Sequence, residues 1–179
     1  MILVVAATQD ELRGSHGAEA VVCGVGPVEA AARTAAALAE RRPEAVLHVG
    51  IAGARAFEGL VLVVGSEAVY CDADDPRWIE LRAPADPELV DAARRAVPAA
   101  RVAPIGTSAR VGGSHGCEVE AMEGYAVLRA AALARVPAVE VRVVTNAIGE
   151  PDRARWQFAQ GREALAEALP RLLEEMSRA

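Results

Sequence analysis

The sequence predicts a three-layer α/β fold, and two observations predict it. β-Branched runs alternate along the chain with alanine-rich runs, as buried strands and the helices that cover them do. Of the 179 residues, 53% are apolar but only 3% are aromatic, so alanine, valine and leucine supply most of the packing volume. That length suits one domain, residues 1–179, large enough to bury a core of its own.

Ile2 to Ala6 reads as a buried strand, followed by a polar loop through Thr8 and Glu11. Ala20 to Cys23 reads as a second strand and Gly24 to Pro27 as a turn. Pro27 stands in the first turn of a helix reaching about Arg41, where its missing N–H costs little. Ala45 to Val49 is another buried strand, ending on the glycine loop Gly50-Ile51-Ala52-Gly53. Leu60 to Tyr70 has strand composition, with Gly65 marking a bend or bulge. Cys71 to Pro87, rich in aspartate, proline and arginine, reads as an irregular surface connection. Glu88 to Ala96 is expected to be helical, Val102 to Thr107 a strand, and the glycine- and serine-rich Gly106 to Cys117 a loop at the mouth of a site. Glu120 to Arg135 reads as a helix, Ala138 to Thr145 as a strand, and Arg155 to Met176 as a C-terminal helical region that Pro170 bends or interrupts.

Charge and composition exclude several classes. A formal charge of −6 argues against a general binder of nucleic acid or membrane surfaces. Every basic residue is arginine, which removes lysine Schiff-base chemistry and a P-loop lysine. Cys23, Cys71 and Cys117 are widely spaced without a CxxC pair, so a reducing cytoplasm is expected and a disulfide framework is not. The apolar opening Met1 to Ala7 lacks a basic flank and is too short for a signal peptide. No stretch approaches the ~20 apolar residues of a membrane span. His115 and Cys117 lack a complementary ligand pair, so no metal is expected.

The residues that carry chemistry lie at the ends of the predicted strands, where ligands gather in α/β sheets. Glu11 follows the first strand; alone, it reads equally as a helix-start acid. Gly24-Val25-Gly26 lacks the third glycine of a dinucleotide-binding turn, since position 29 is Glu29, and is better read as the start of a helix. Gly50 to Gly53 lets backbone amides approach a ligand closely, while His48 beside it reads as a satisfied structural histidine. Glu123, in Val119-Glu120-Ala121-Met122-Glu123-Gly124, stands at a helix mouth, where it can accept two vicinal hydroxyls or merely complement the helix N-terminus. Asn146 closes the run Val141-Arg142-Val143-Val144-Thr145-Asn146 and offers a donor and an acceptor together, or a simple strand-end turn.

These motifs resemble the purine nucleoside phosphorylase and nucleosidase superfamily, and within it the futalosine hydrolases, over residues 1 to about 156. The resemblance implies a central mixed, mostly parallel sheet, no cofactor, a small purine nucleoside as partner, and a homo-oligomer. It implies that Glu11 positions or deprotonates the attacking water, and that Met122 packs on the ribose while Glu123 holds its hydroxyls. Gly50, Ile51, Ala52 and Gly53 correspond to the loop where phosphorylases bind phosphate. His48 and Ile51 replace the arginine and hydroxyl donors found there, so water is the expected nucleophile. Asn146 stands where adenine-releasing members carry an aspartic acid, which implies a 6-oxopurine such as hypoxanthine. Asp152, Arg153 and Trp156 resemble the aspartate-arginine pair and tryptophan of the futalosine hydrolases; Trp156 would cover the nucleoside and Arg153 meet the substrate carboxylate. An ion pair or helix start explains Asp152 equally well. The segment between Thr107 and Glu120 is shorter than the family pattern. Three rivals to futalosine hydrolysis stand beside it: a methylthioadenosine or adenosylhomocysteine nucleosidase, against which Asn146 speaks; a purine nucleoside phosphorylase, against which Ile51 speaks; and a noncatalytic nucleoside-binding protein, which the short loop keeps open.

Overall fold

Ile2–Ala6 forms strand β1, paired with a strand on each edge, and four of its five side chains are fully buried in the main core. A computed structural model describes residues 1–179. The further elements are β2 (Glu19–Val22), α1 (Pro27–Arg41), β3 (Ala45–Ala54), β4 (Val61–Tyr70), β5 (Arg82–Pro84) and α2 (Pro87–Ala96). They continue with β6 (Arg101–Thr107), β7 (Val119–Ala121), α3 (Gly124–Ala134), β8 (Ala138–Ala147) and α4 (Phe158–Met176). Short 3-10 turns cover Gln9–Leu12 and Arg153–Arg155.

The eight strands form one mixed sheet. β1 runs parallel to β2 and β3, β3 parallel to β8, and β4 parallel to β6, whereas β4 meets β5 and β8 antiparallel. β7 pairs with β6 and with the end of β3. These pairings close a ring through β3, β8, β4, β6 and β7. A small apolar cluster fills it with residues from all five strands, among them Ala52, Val63, Ile105, Val119 and Val144. The larger core of 35 residues lies between the sheet and its helices.

Side-chain alternation along β8 separates the helical layers. Gly124 at the start of α3 lies against Glu140, while Gly161 in α4 lies against Thr145, a residue of opposite parity. α3 and α4 therefore cover opposite faces; α1 packs on α3 and α2 on α4. Asp86 caps α2 by accepting from the amides of Glu88 and Leu89. No helix is long and apolar enough to cross a membrane.

The three-layer expectation holds, and several boundaries move. Gly50 to Gly53, read as a loop, continues β3, because β8 and β7 supply hydrogen-bonding edges that the glycine-rich composition hides. Glu120 does not open a helix: Val119–Ala121 is strand β7, and α3 starts after Glu123. The segment Cys71 to Pro87 contains the short strand β5, and the C-terminal helix begins at Phe158. A bulge follows Gly65 in β4, as its composition suggested. Pro170 does not interrupt α4. Its missing N–H deprives the Ala166 carbonyl of a helical donor, and Gly14 packs against that carbonyl so closely that a Cβ would collide with it.

Candidate active site

The carboxyl ends of β1, β3 and β8 open on a cavity of about 500 Å³, within the range of small-molecule sites. Glu11, Ile51, Ala52, Gly53, Met122, Glu123, Asn146, Arg153 and Trp156 line it. Gly50, expected in the ligand-binding loop, is not part of this lining. It lies behind the wall, where a Cβ would collide with Arg142 Nη1 and come within 2.8 Å of Glu11 Oε1. The glycine there is required by two side chains of the protein.

Glu11 is buried and fixed by three donors. The Thr8 amide and hydroxyl donate to Oε2 at 2.9 and 2.8 Å, and the Ile51 amide donates to Oε1 at 3.1 Å. Thr8 and Glu11 thus form a reciprocal cap on the 3-10 turn that follows β1. The amide of Ile51, a residue of the cavity wall, is already used by a carboxylate.

Arg142, overlooked in the sequence reading, organises the floor. It is 1% exposed and donates from Nε to Glu140 Oε1 at 2.7 Å and from Nη2 to Glu123 Oε2 at 3.3 Å. Burial alone would lower its pKa, but the carboxylates of Glu140, Glu123 and Glu11 outweigh that and raise it. Glu140 is pushed up by burial despite its pairing, and its Oε2 has no donor. The signal for Arg142 lay in the pattern: a charged residue inside a buried β-branched run must be paired. His48 is the network's neutral member. Burial, then Arg142, holds its pKa well below the usual value. Since Arg142 can only donate to Nε2, Nδ1 carries the proton and donates to the Val5 carbonyl at 3.0 Å. His48 is fully buried outside the cavity, so it does not meet a phosphate.

Glu123 also accepts from the Gly26 amide at 3.1 Å, so the turn before α1 orients the carboxylate at the mouth of α3. An ionised carboxylate has about four lone-pair sites, and these two bonds leave others for a ligand. Asn146 is buried beside Gly53, opposite a bulge where Thr145 becomes the extra residue between two β3 partners. Thr145 Oγ1 donates to Asn146 Oδ1 at 3.1 Å, and Asn146 Nδ2 donates to the Ala147 carbonyl at 3.1 Å.

The Gly106 to Cys117 loop reaches the cavity through Val111 and is held by three charged anchors. Glu120 accepts from the amides of Gly112 and Ser114 at 2.6 and 2.8 Å. Arg55 donates to the Ser114 and Cys117 carbonyls, and Asp72 accepts from Ser108 and Ala109. On the opposite rim, Trp156 donates to the Glu150 carbonyl at 3.0 Å and meets Phe158 edge-on. Asp152 caps the 3-10 turn and Glu150 pairs with Arg155, which leaves Arg153 stacked over Trp156. Phe158 and Arg162 complete this wall; both lie beyond residue 156, where the resemblance that pointed to the other site residues ends. No three His, Cys, Asp or Glu side chains are grouped to hold a metal.

Comparison with known proteins agrees with this architecture. The family model described as the phosphorylase superfamily matches residues 12–178. A futalosine hydrolase from Streptomyces coelicolor is 34% identical over 186 residues, covering 87% of this chain and 78% of that protein. Among solved structures, futalosine hydrolase of Helicobacter pylori superposes with a TM-score of 0.86 at 15% identity, covering 97% of each chain. The S-adenosylhomocysteine nucleosidase of Streptococcus pyogenes, in complex with 5-methylthiotubericidin, gives 0.84 at 21% identity over 97% of this chain and 95% of that one. The length of the family match and the identity to the Streptomyces protein lead to one conclusion: the chain belongs to the phosphorylase superfamily.

Proposed function

We propose that this protein is a nucleosidase that hydrolyses the N-glycosidic bond of futalosine, releasing hypoxanthine and dehypoxanthine futalosine in menaquinone biosynthesis. The observation that carries the reading is the convergence of Glu11, Glu123 and Asn146 on one cavity. Glu11 takes a proton from water as the water oxygen bonds to the anomeric carbon. The C–N bond breaks with its electron pair going to the purine. Glu123 holds the ribose hydroxyls against Met122; the departing base takes a proton at N7 from solvent water, and Asn146 bonds O6 and the N7–H. Hydrogen bonds set in place before the reaction favour the oxocarbenium-like transition state over the ground state.

Phosphorolysis fits poorly. Ile51 brings no side-chain donor, its amide serves Glu11, and Arg142 is spent on two carboxylates. An anion at this strand would face the Glu11 carboxylate. An adenine-releasing nucleosidase is disfavoured by Asn146, whose amide N–H would confront the exocyclic amine of adenine. Within the same proposal the enzyme works in the cytoplasm as a homo-oligomer.

The test is product analysis with futalosine, inosine and methylthioadenosine, each with and without phosphate. Hypoxanthine and the free ribosyl product are expected from futalosine in phosphate-free buffer; obligatory ribose 1-phosphate would overturn the assignment. Glu11→Gln should lower kcat by about 10²–10⁴-fold while largely keeping substrate affinity.

A further inference from the structure

Arg162 sits one turn into α4, on the face it shares with Phe158 four residues earlier. Its guanidinium carbon lies 5.9 Å from the Phe158 ring centroid. Nη1 donates to Asp10 Oδ2 at 2.8 Å, and Asp10 Oδ1 accepts from Arg13, so the aspartate is held from both sides. A guanidinium presents its parallel two-bond fork to a carboxylate along the Nε–Nη2 edge, the edge that Asp10 leaves free. Nε on that edge is buried and has no hydrogen-bond partner, a costly arrangement until an acceptor arrives. Arg162 lines the cavity, and Trp156 and Phe158 meet beside it with ring centroids 5.1 Å apart.

Arg153 also lines the cavity and also sits over an aromatic ring, but it differs in exposure and in pairing. It is exposed, lies 5.7 Å from the Trp156 ring centroid, and makes no ion pair that fixes its direction. A ligand carboxylate would have to order it, whereas Arg162 is already oriented, so less side-chain freedom is lost on binding.

We propose that Arg162, not Arg153, is the residue that reads a carboxylate on the substrate, and that the Trp156–Phe158 corner seats the aromatic ring carrying it. The assignment rests on the nucleosidase reading above and adds the determinant of its acidic substituent. The aryl carboxylate engages Nε and Nη2 while Asp10 keeps Nη1. Nucleosides without that group leave the buried Nε unpaired and are discriminated against.

The test compares futalosine with its methyl ester. Dissociation constants are measured by stopped-flow tryptophan fluorescence before turnover, and product release is followed separately. Wild type should bind the acid about 10- to 100-fold more tightly than the ester, the range of a hydrogen bond to a charged group. Arg162→Gln should bring that ratio close to one. Arg162→Lys, which keeps the charge but not the fork, should restore only part of it. The proposal is overturned if wild type shows no preference, if Arg162→Gln keeps it, or if Arg153→Gln abolishes it instead. Absence of hypoxanthine release would sink the futalosine reading, while the acid-to-ester binding ratio would still decide the role of Arg162.

Discussion

Replacing Arg142 with methionine tests whether the floor of the site is an ionic network or merely packing. The variant keeps much of the side-chain volume and removes the bonds to Glu140, Glu123, His48 and the Ile51 carbonyl. Glu123 retains the Gly26 amide. Glu140 retains no donor, is 0% exposed, and already has one unpaired oxygen. Removing one partner of a buried pair costs about 3–5 kcal/mol, which lowers Tm by roughly 6–20 °C for a chain of this size. The loss should depend on pH. Burial raises Glu140 above its ordinary value of 4.5, so stability linked to it is complete below pH 4.5 and is lost as pH rises through the folded-state value. Without Arg142 that value rises further, so the deficit of the variant should open above pH 4.5 and narrow below it. Urea unfolding of wild type, Arg142→Met, Glu140→Gln and the double variant gives the cycle, with coupling of about 0.5–3 kcal/mol expected. A loss below about 1 kcal/mol, independent of pH, would refute the ionic account.

Three further outcomes follow from particular contacts. His48 is held neutral with its pKa depressed below 6.5, so stability should be full above that pH and decline as pH falls below it. His48→Gln should flatten that part of the urea-midpoint profile; an unchanged slope would remove His48 as its source. Glu120→Ala frees the amides of Gly112 and Ser114, so their hydrogen exchange should accelerate and KM should rise more than kcat falls; unchanged exchange and KM would show that Arg55 and Asp72 hold the loop without it. Asn146→Asp should lower kcat/KM for futalosine relative to methylthioadenosine by about 10-fold or more, since a mismatched buried polar pair is costly. If competition between the two nucleosides gives an unmoved ratio, Asn146 does not read the base.

Much of the fold was legible because strands and helices here carry local signals. Ile2 to Ala6 is fully apolar and mostly β-branched, Pro27 suits only the first turn of α1, and Asn146 interrupts a buried run at its end. Glu123 was recognisable by its place in a motif, although the residues before it pair as a strand, since whether a short stretch finds an edge depends on distant neighbours. Gly50 to Gly53 shows the same limit: two glycines framing Ile51 and Ala52 look like a loop until β7 and β8 arrive on either side.

The sequence by itself determined the alternation of layers, the polar residues that close the strands, and the lack of phosphate-binding side chains around Ile51. Only the tertiary structure decided which of those residues are free to act. Ile51 and Glu11 are 40 positions apart yet share a hydrogen bond, and Asp10 orients Arg162 from 152 positions away. Arg142 draws together His48, Glu123 and Glu140 from three separate elements. Periodicity reports which face of its own element a side chain takes, and that is a local property. Glu140 stands two residues before Arg142 on the same strand, but the pairing of Arg142 with Glu123 and His48 depends on which elements the closed sheet brings into contact, and no single window of sequence contains those partners.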